Sequence, residues 1–249
     1  MTSDARVAAD LARQAGDLLL TLRGASGLTG KDLGKRGDAA ANSLLLRELA
    51  DVRPNDAVLS EESADSPKRL SADRVWIIDP LDGTREYGMP GRPDWAVHVA
   101  LWQAGQGITA AAVAQPALDT VYASDTVEAV RRPRPRPTFL VSDSRPPEWA
   151  APVAAKLGAE LATMGSAGAK TMAVVRGDAD AYLHGGGQWE WDSAAPVGVA
   201  LAAGLHASRI DGSPLVYNSE HPYLPDLLIC RADLAKDLLR EIADATSAV

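Results

Sequence analysis

Hydrophobic positions at the start of the chain keep a helical period. Val7, Ala8, Leu11, Ala15, Leu18, Leu19 and Leu22 recur in steps of three and four, which predicts a helix with one apolar face. Ser3 or Asp4 is placed to cap it and Gly24 to end it. Residues 24–37, rich in Gly and Lys, read as a loop. Asp38 then precedes a second amphipathic stretch with Leu44, Leu45, Leu46 and Leu49, broken by Pro54-Asn55-Asp56. Beyond it the pattern changes to short apolar runs. Ala57-Val58-Leu59-Ser60 reads as a strand delivering Glu61 and Glu62, and residues 63–73 as a polar surface loop. Val75-Trp76-Ile77-Ile78 reads as a stronger strand delivering Asp79. Strands are expected at 95–102 and 108–115, joined by the Gln103-to-Gly107 turn, and at 120–123.

The sharpest break is Arg-Arg-Pro-Arg-Pro-Arg-Pro at 131–137. Alternating Pro forbids helix and favours a stiff extended connector, so a domain boundary is placed there. No aromatic residue interleaves with its four Arg, which argues against a nucleic-acid or lipid tail. Beyond it strands (138–141, 160–164, 179–183, 227–230) alternate with helices (147–157, 168–176, 192–203, 232–245). That order predicts a mixed sheet with helices on its faces.

Composition narrows the class. At 249 residues, 46% apolar and 23% charged, the chain suits one large domain or two small ones. The net charge of -8 gives no long-range attraction for nucleic acid, so an anionic ligand would need local devices to hold it. Cys230 is the single cysteine, which rules out an internal disulfide and fits a reducing cytoplasm. The N-terminus does not read as a signal peptide, and no apolar stretch is long enough to span a bilayer.

The chemistry concentrates in acids at strand ends and helix starts. These are Ser60-Glu61-Glu62, Asp79-Pro80-Leu81-Asp82-Gly83-Thr84, Trp191-Asp192-Ser193-Ala194-Ala195-Pro196 and Asp38. Hard oxygen ligands in such number suit Mg²⁺, and two or three ions sharing carboxylates can activate a water and stabilise a leaving oxygen. Each acid has an ordinary alternative: a helix N-cap for Asp38 or Asp192, a solvated loop for Glu61-Glu62. Asp79 has little structural reason to be acidic after so apolar a strand. Asp79 and Asp82 are three apart, whereas the haloacid-dehalogenase phosphatases place their two Asp two apart, so an aspartyl-phosphate mechanism is disfavoured.

Together these runs resemble the inositol-monophosphatase-like family. Asp79 to Thr84 is similar to its first signature, Trp191-Asp192-Ser193-Ala194-Ala195 to its second, and Ser60-Glu61-Glu62 stands where Gly-Glu-Glu is usual. The resemblance implies a layered α-β-α-β-α sugar-phosphatase fold, with an N-terminal α+β half (1–133) and a C-terminal α/β half (138–249). It implies Mg²⁺ ligation by Glu61, Asp79, the Leu81 carbonyl, Asp82 and Asp192. It implies attack by a water oriented by Thr84 with help from Asp38, and catalytic roles for these two and Glu61. The phosphate would lie against the amides near Gly83 and Thr84. Lithium inhibition is expected, and a homodimer is common among members.

Thr84-Arg85-Glu86-Tyr87 resembles the 3'(2'),5'-bisphosphate nucleotidase branch more than the inositol phosphatases. So do Gly165-Ser166-Ala167-Gly168-Ala169-Lys170, Pro196 at the end of the second signature, and the loop around Ser142 to Arg145. That branch hydrolyses 3'-phosphoadenosine 5'-phosphate to AMP and phosphate, a reaction of sulfate assimilation. A doubly phosphorylated substrate needs a second anion site, for which Ser166, Lys170 and Arg145 are candidates. The substrate set implied is Glu61, Leu81, Asp82, Gly83, Thr84, Arg145, Ser166, Lys170 and Asp192. Trp189 and Trp191 are candidates to flank an adenine, with core packing as the plain alternative; His184 reads as a strand-end residue. Residues 88–94 depart from the usual continuation. A broader inositol, sugar or fructose-1,6-bisphosphate phosphatase and a non-catalytic binding regulator are the competing readings.

Overall fold

The computed structural model describes residues 2–132 and 134–247. Met1, Pro133 of the connector, Ala248 and Val249 lie outside them, and with these the outer limits of the two expected halves. The first helix, α1 (Asp4–Ala25), is capped by Ser3, whose side chain accepts from the Arg6 N–H. It buries the apolar stripe read from the sequence, including Val7, Leu11, Ala15 and Leu19.

The second helix corrects the sequence reading. α2 runs Gly30–Val52, so residues read as loop are helical and Asp38 lies inside a helix, not at its start. The reason is packing. A Cβ on Gly34 would stand 2.6 Å from Thr84 Cγ2, and one on Gly37 2.9 Å from Leu81 Cδ2. Glycine, unfavourable in an isolated helix, is here the residue that lets α2 approach the acidic motif closely.

Five strands follow: β1 (Ala57–Ser60), β2 (Arg74–Asp82), β3 (Ala96–Gln103), β4 (Gly107–Gln115) and β5 (Thr120–Ala123). They form one sheet in sequence order, β1 parallel to β2 and the rest antiparallel. A single helical turn, α3 (Thr84–Tyr87), follows β2. The second sheet has the order β10-β12-β8-β6-β7. Its strands are β6 (Thr138–Ser142), β7 (Glu160–Met164), β8 (Ala181–His184), β10 (His206–Ser208) and β12 (Leu227–Cys230). Between and around them lie α4 (Ala150–Lys156), α5 (Ala167–Val175), α6 (Glu190–Ala202) and α7 (Ala235–Thr246). A short pair, β9 (Gln188–Trp189) with β11 (Tyr223–Leu224), completes the strands.

The layers follow from alternation along β2. Trp76 and Ile78 face α1 and α2, packing with Leu19, Leu45 and Leu49. Val75 and Ile77 face the other way, into a core shared with Met172 of α5, Val197 of α6, and Tyr182 and Ile229 of the second sheet. The far side of the second sheet buries Phe139, Leu183 and Cys230 against Val153 of α4 and Leu238 of α7. The result is five layers, α-β-α-β-α. No helix among the described residues is long and apolar enough to cross a membrane.

The connector is tied to the second sheet's side. Val130 N–H donates to Val175 O at 2.8 Å, Arg132 pairs with Asp178 at 2.9 Å and Arg131 with Asp233 at 3.2 Å.

Candidate metal and phosphate site

A break in pairing builds the acidic centre. Asp79 sits opposite His98 on β3, yet Asp82 sits opposite Ala96, so three steps on β2 span two on β3. Side chains three apart on a regular strand point to opposite faces; the extra residue of a bulge returns Asp82 to the face of Asp79. Pro80 suits that position because it has no N–H to donate to the ladder. Asp192, in the first turn of α6, completes a group whose carboxylate oxygens lie within 4.8 Å of one another.

Each acid is held. Asp79 Oδ1 accepts from Leu81 N–H at 3.0 Å, and Asp192 Oδ2 from Trp189 N–H at 2.7 Å. Asp82 accepts from Ser166 Oγ, from Ala167 N–H at 3.1 Å and from Gly168 N–H at 2.7 Å. The start of α5 is thus docked on the first signature. Glu61 follows β1 in a turn, and it lines the cleft that holds Asp82 and Asp192. That turn is fastened to α2: Ser60 Oγ donates to Asn42 Oδ1 at 2.8 Å, and Asn42 Nδ2 to Ser63 Oγ at 3.1 Å. The Ser in place of the more usual Gly therefore makes a buried bond.

Mutual repulsion is written into these groups. Burial, then Glu61, Asp82 and Asp192, drive Asp79 well above the ordinary carboxylate range. Burial and Asp82 push Asp192 to about 6. Desolvation, Asp192 and Asp38 push Glu61 to about 8. Burial and the charge of Glu62 raise Asp38 to about 7. Asp82 is the exception. Burial opposes its charge, but His98, Ser166 Oγ and the Gly168 N–H outweigh it and hold Asp82 at about 2. Clustered hard oxygen donors that repel one another fit divalent cations such as Mg²⁺, which would remove the repulsion.

Thr84 stands beside this group. Its Oγ1 lies 3.1 Å from Leu81 O and 3.4 Å from Asp38 Oδ1. Gly83 has φ 85°, a left-handed turn that glycine permits. α3 is one turn, so what it offers an anion is the unsatisfied amides of its start, not a long helix dipole.

Sequence reading missed His98. It is fully buried, with Nδ1 3.1 Å from Trp191 O and Nε2 3.2 Å from Asp82 Oδ2, the latter off the line of a hydrogen bond. A carbonyl only accepts, so Nδ1 carries a proton. The ring therefore links the first signature to the backbone of the second. Room for it comes from Gly168, where a Cβ would overlap His98 Nε2. The one available signal was a lone His within the apolar run Ala96 to Leu101.

The same cleft, about 400 Å³, has a cationic side lined by Arg85, Arg145 and Lys170. Arg85 is held by Glu86 and Asp143, each at 2.6 Å. Arg145 is exposed in the loop after β6. Lys170 is 4% exposed. Its ammonium donates to the carbonyls of Ser166 at 2.7 Å, Gly165 at 3.1 Å and Met164 at 3.3 Å. Its donors are engaged in fixing that turn, leaving it to act on an anion through its charge. Trp189 and Trp191 do not flank an open slot: their rings stack on each other at 5.4 Å and 10°.

Comparisons with known proteins bear on the family and the fold. A model of the inositol monophosphatase family matches residues 2–134 and 137–246. A protein of Mycobacterium leprae (strain TN) called 3'-phosphoadenosine 5'-phosphate phosphatase is 57% identical, over 97% of this chain and 94% of its own. The 3'(2'),5'-bisphosphate nucleotidase CysQ of Escherichia coli (strain K12) is 30% identical over 75% of this chain and 80% of its own. Among solved structures, inositol monophosphatase-II from Staphylococcus aureus MSSA476 superposes with a TM-score of 0.76 at 20% identity. That match covers 96% of each chain and bears on the fold alone.

Proposed function

This chain belongs to the inositol monophosphatase family, and from that membership we propose that it is a Mg²⁺-dependent phosphomonoesterase of nucleotide bisphosphates. It removes the 3'-phosphate of 3'-phosphoadenosine 5'-phosphate, giving AMP and phosphate, and acts on 3'-phosphoadenylyl sulfate as a second substrate. The reaction belongs to sulfate assimilation, in a cytosol where a lone thiol such as Cys230 stays reduced. The observation that carries this reading is the two-sided cleft: repelling carboxylates on one side, Arg145 and Lys170 on the other. A substrate with two separated phosphates matches it, one over the acids through cations and one beside the basic groups.

Glu61, Asp79, Asp82, Asp192 and the Leu81 carbonyl would hold two or three Mg²⁺. Bound there, the ions supply Lewis-acid activation of water and neutralise charge on the phosphate. Thr84 and Asp38 orient the attacking water, the hydroxyl passing a proton toward the Asp38 carboxylate. The amides at Gly83 and Thr84 donate to phosphate oxygens. Ser166, through Asp82, keeps the start of α5 against the metal ligands, and Lys170 and Arg145 attract the 5'-phosphate.

Phosphate release from 3'-phosphoadenosine 5'-phosphate, inositol 1-phosphate and fructose 1,6-bisphosphate tests the reading. The nucleotide is expected to have the highest kcat/KM by at least tenfold. A preference for inositol phosphate would overturn the substrate, and no turnover of any would overturn the reaction.

A further inference from the structure

Besides its acidic and basic groups the cleft has a neutral polar floor. β8 ends at His184 and β9 begins at Gln188, with Gly185, Gly186 and Gly187 between. Gly187 has φ 80°, and a Cβ there would overlap the Tyr223 hydroxyl. This compact turn places both His184 and Gln188 on the cleft wall beside Tyr182. Both are more than nine-tenths buried, at 5% and 7% exposure. Gln188 Nε2 donates to Tyr182 Oη at 2.8 Å, but Gln188 Oε1 and His184 Nε2 have no partner within the protein. Buried polar atoms are normally paired, because each one left alone forfeits its bonds to water. Two such atoms, on side chains that both line the cleft, mark a place where a ligand can complete the bonding.

We propose that His184 and Gln188 read the base of the substrate, at the edge carrying the 6-amino group of a purine. This rests on the nucleotide reading above. The floor is uncharged: burial, with Lys170 and Arg145 nearby, depresses the His184 imidazole to about 4, so the ring is neutral near pH 7. A phosphate finds better partners in Arg145 and Lys170. A neutral heterocycle carrying an exocyclic amine fits two neutral acceptors. The Gln188 carbonyl oxygen accepts one N–H of that amine, and the His184 Nε2 lone pair accepts the other. A site of this kind discriminates strongly, since a ligand lacking the amine leaves buried groups unpaired. It also replaces stacking between Trp189 and Trp191, which those rings' contact with each other forbids.

The test is titration calorimetry with Mg²⁺ present, comparing AMP with ribose 5-phosphate and with purine-riboside 5'-monophosphate, which lacks the amine. Native protein should bind AMP about tenfold more tightly than the amine-free nucleotide. Gln188→Leu and His184→Phe should each weaken AMP about tenfold and leave ribose 5-phosphate unchanged. Equal binding of the two nucleotides by the native protein, a reading that needs no variant to fold, overturns the proposal. So does a loss shared equally by AMP and ribose 5-phosphate. Failure to release the 3'-phosphate would count against the reaction instead, and is measured separately.

Discussion

At the level of single residues, the role proposed for Thr84 and Asp38 depends on reach. A threonine after Asp-Gly is an ordinary turn residue until its hydroxyl is set 3.4 Å from a buried carboxyl and 3.1 Å from the Leu81 carbonyl. Thr84→Val keeps shape and removes the hydroxyl. Loss of one positioned proton-transfer group lowers kcat about 100-fold, with KM and melting temperature little changed. Steady-state kinetics beside a thermal melt checks it; an equal fall in melting temperature would mean that the hydroxyl is structural. Asp82→Asn acts differently. It leaves one oxygen for the three donors at the start of α5, so Mg²⁺ affinity measured by calorimetry falls with activity, and the metal-free melting temperature falls too.

Among elements, the informative pair is β3 against the start of α5. His98 and Gly168 occupy complementary space, and between them lies the Asp82 carboxylate. Gly168→Ala drives a methyl into His98. The ring must tilt away from Trp191 O and Asp82, so Mg²⁺ affinity drops about tenfold, the scale seen when groups supporting a metal ligand are disturbed. Unchanged Mg²⁺ affinity in Gly168→Ala would falsify this coupling. The turn after Glu61 has its own clamp. Arg69 is 1% exposed and donates to Asp65, Asn218 Oδ1 and Ser219 O, while Asn218 and Ser219 N–H groups donate to Glu190 at the head of α6. Arg69→Met removes that link between the Glu61 segment and α6, and costs about 2–4 kcal/mol in urea unfolding.

For the whole molecule, the acidic centre sets a dependence on pH and metal. Asp38, Glu61 and Asp192 titrate in the folded chain at about 7, 8 and 6, above the ordinary carboxylate value. Groups raised in this way favour the folded state while protonated. Their contribution is complete below the unfolded value near 4 and is lost as pH rises through 6 to 8. Metal-free protein is therefore expected to melt higher at pH 6 than at pH 8.5 in EDTA. Added Mg²⁺, which replaces protons at the cluster, should raise the melting temperature more at pH 8.5. A metal-free melting temperature that does not change with pH would remove the argument for mutual repulsion.

What the chain's order alone determines is local: α1 from its apolar stripe, β2 from its β-branched run, and acids at the ends of strands where nothing structural calls for them. These are legible because period and sharp chemical contrast lie within a few neighbouring residues. The extent of α2 was not, because its glycines make contact with Thr84 and Leu81, about fifty residues away in the chain. Nor was His98, whose meaning comes from Trp191, nor the engagement of Lys170 with carbonyls of its own turn. The acidic motif that opens the chemistry shows the division most clearly. Its spacing of three residues is visible in the sequence, but on a regular strand that spacing would part the two carboxylates. Only the bulge against β3 turns Asp79 and Asp82 to one side, and only five packed layers bring Asp192 within reach of both.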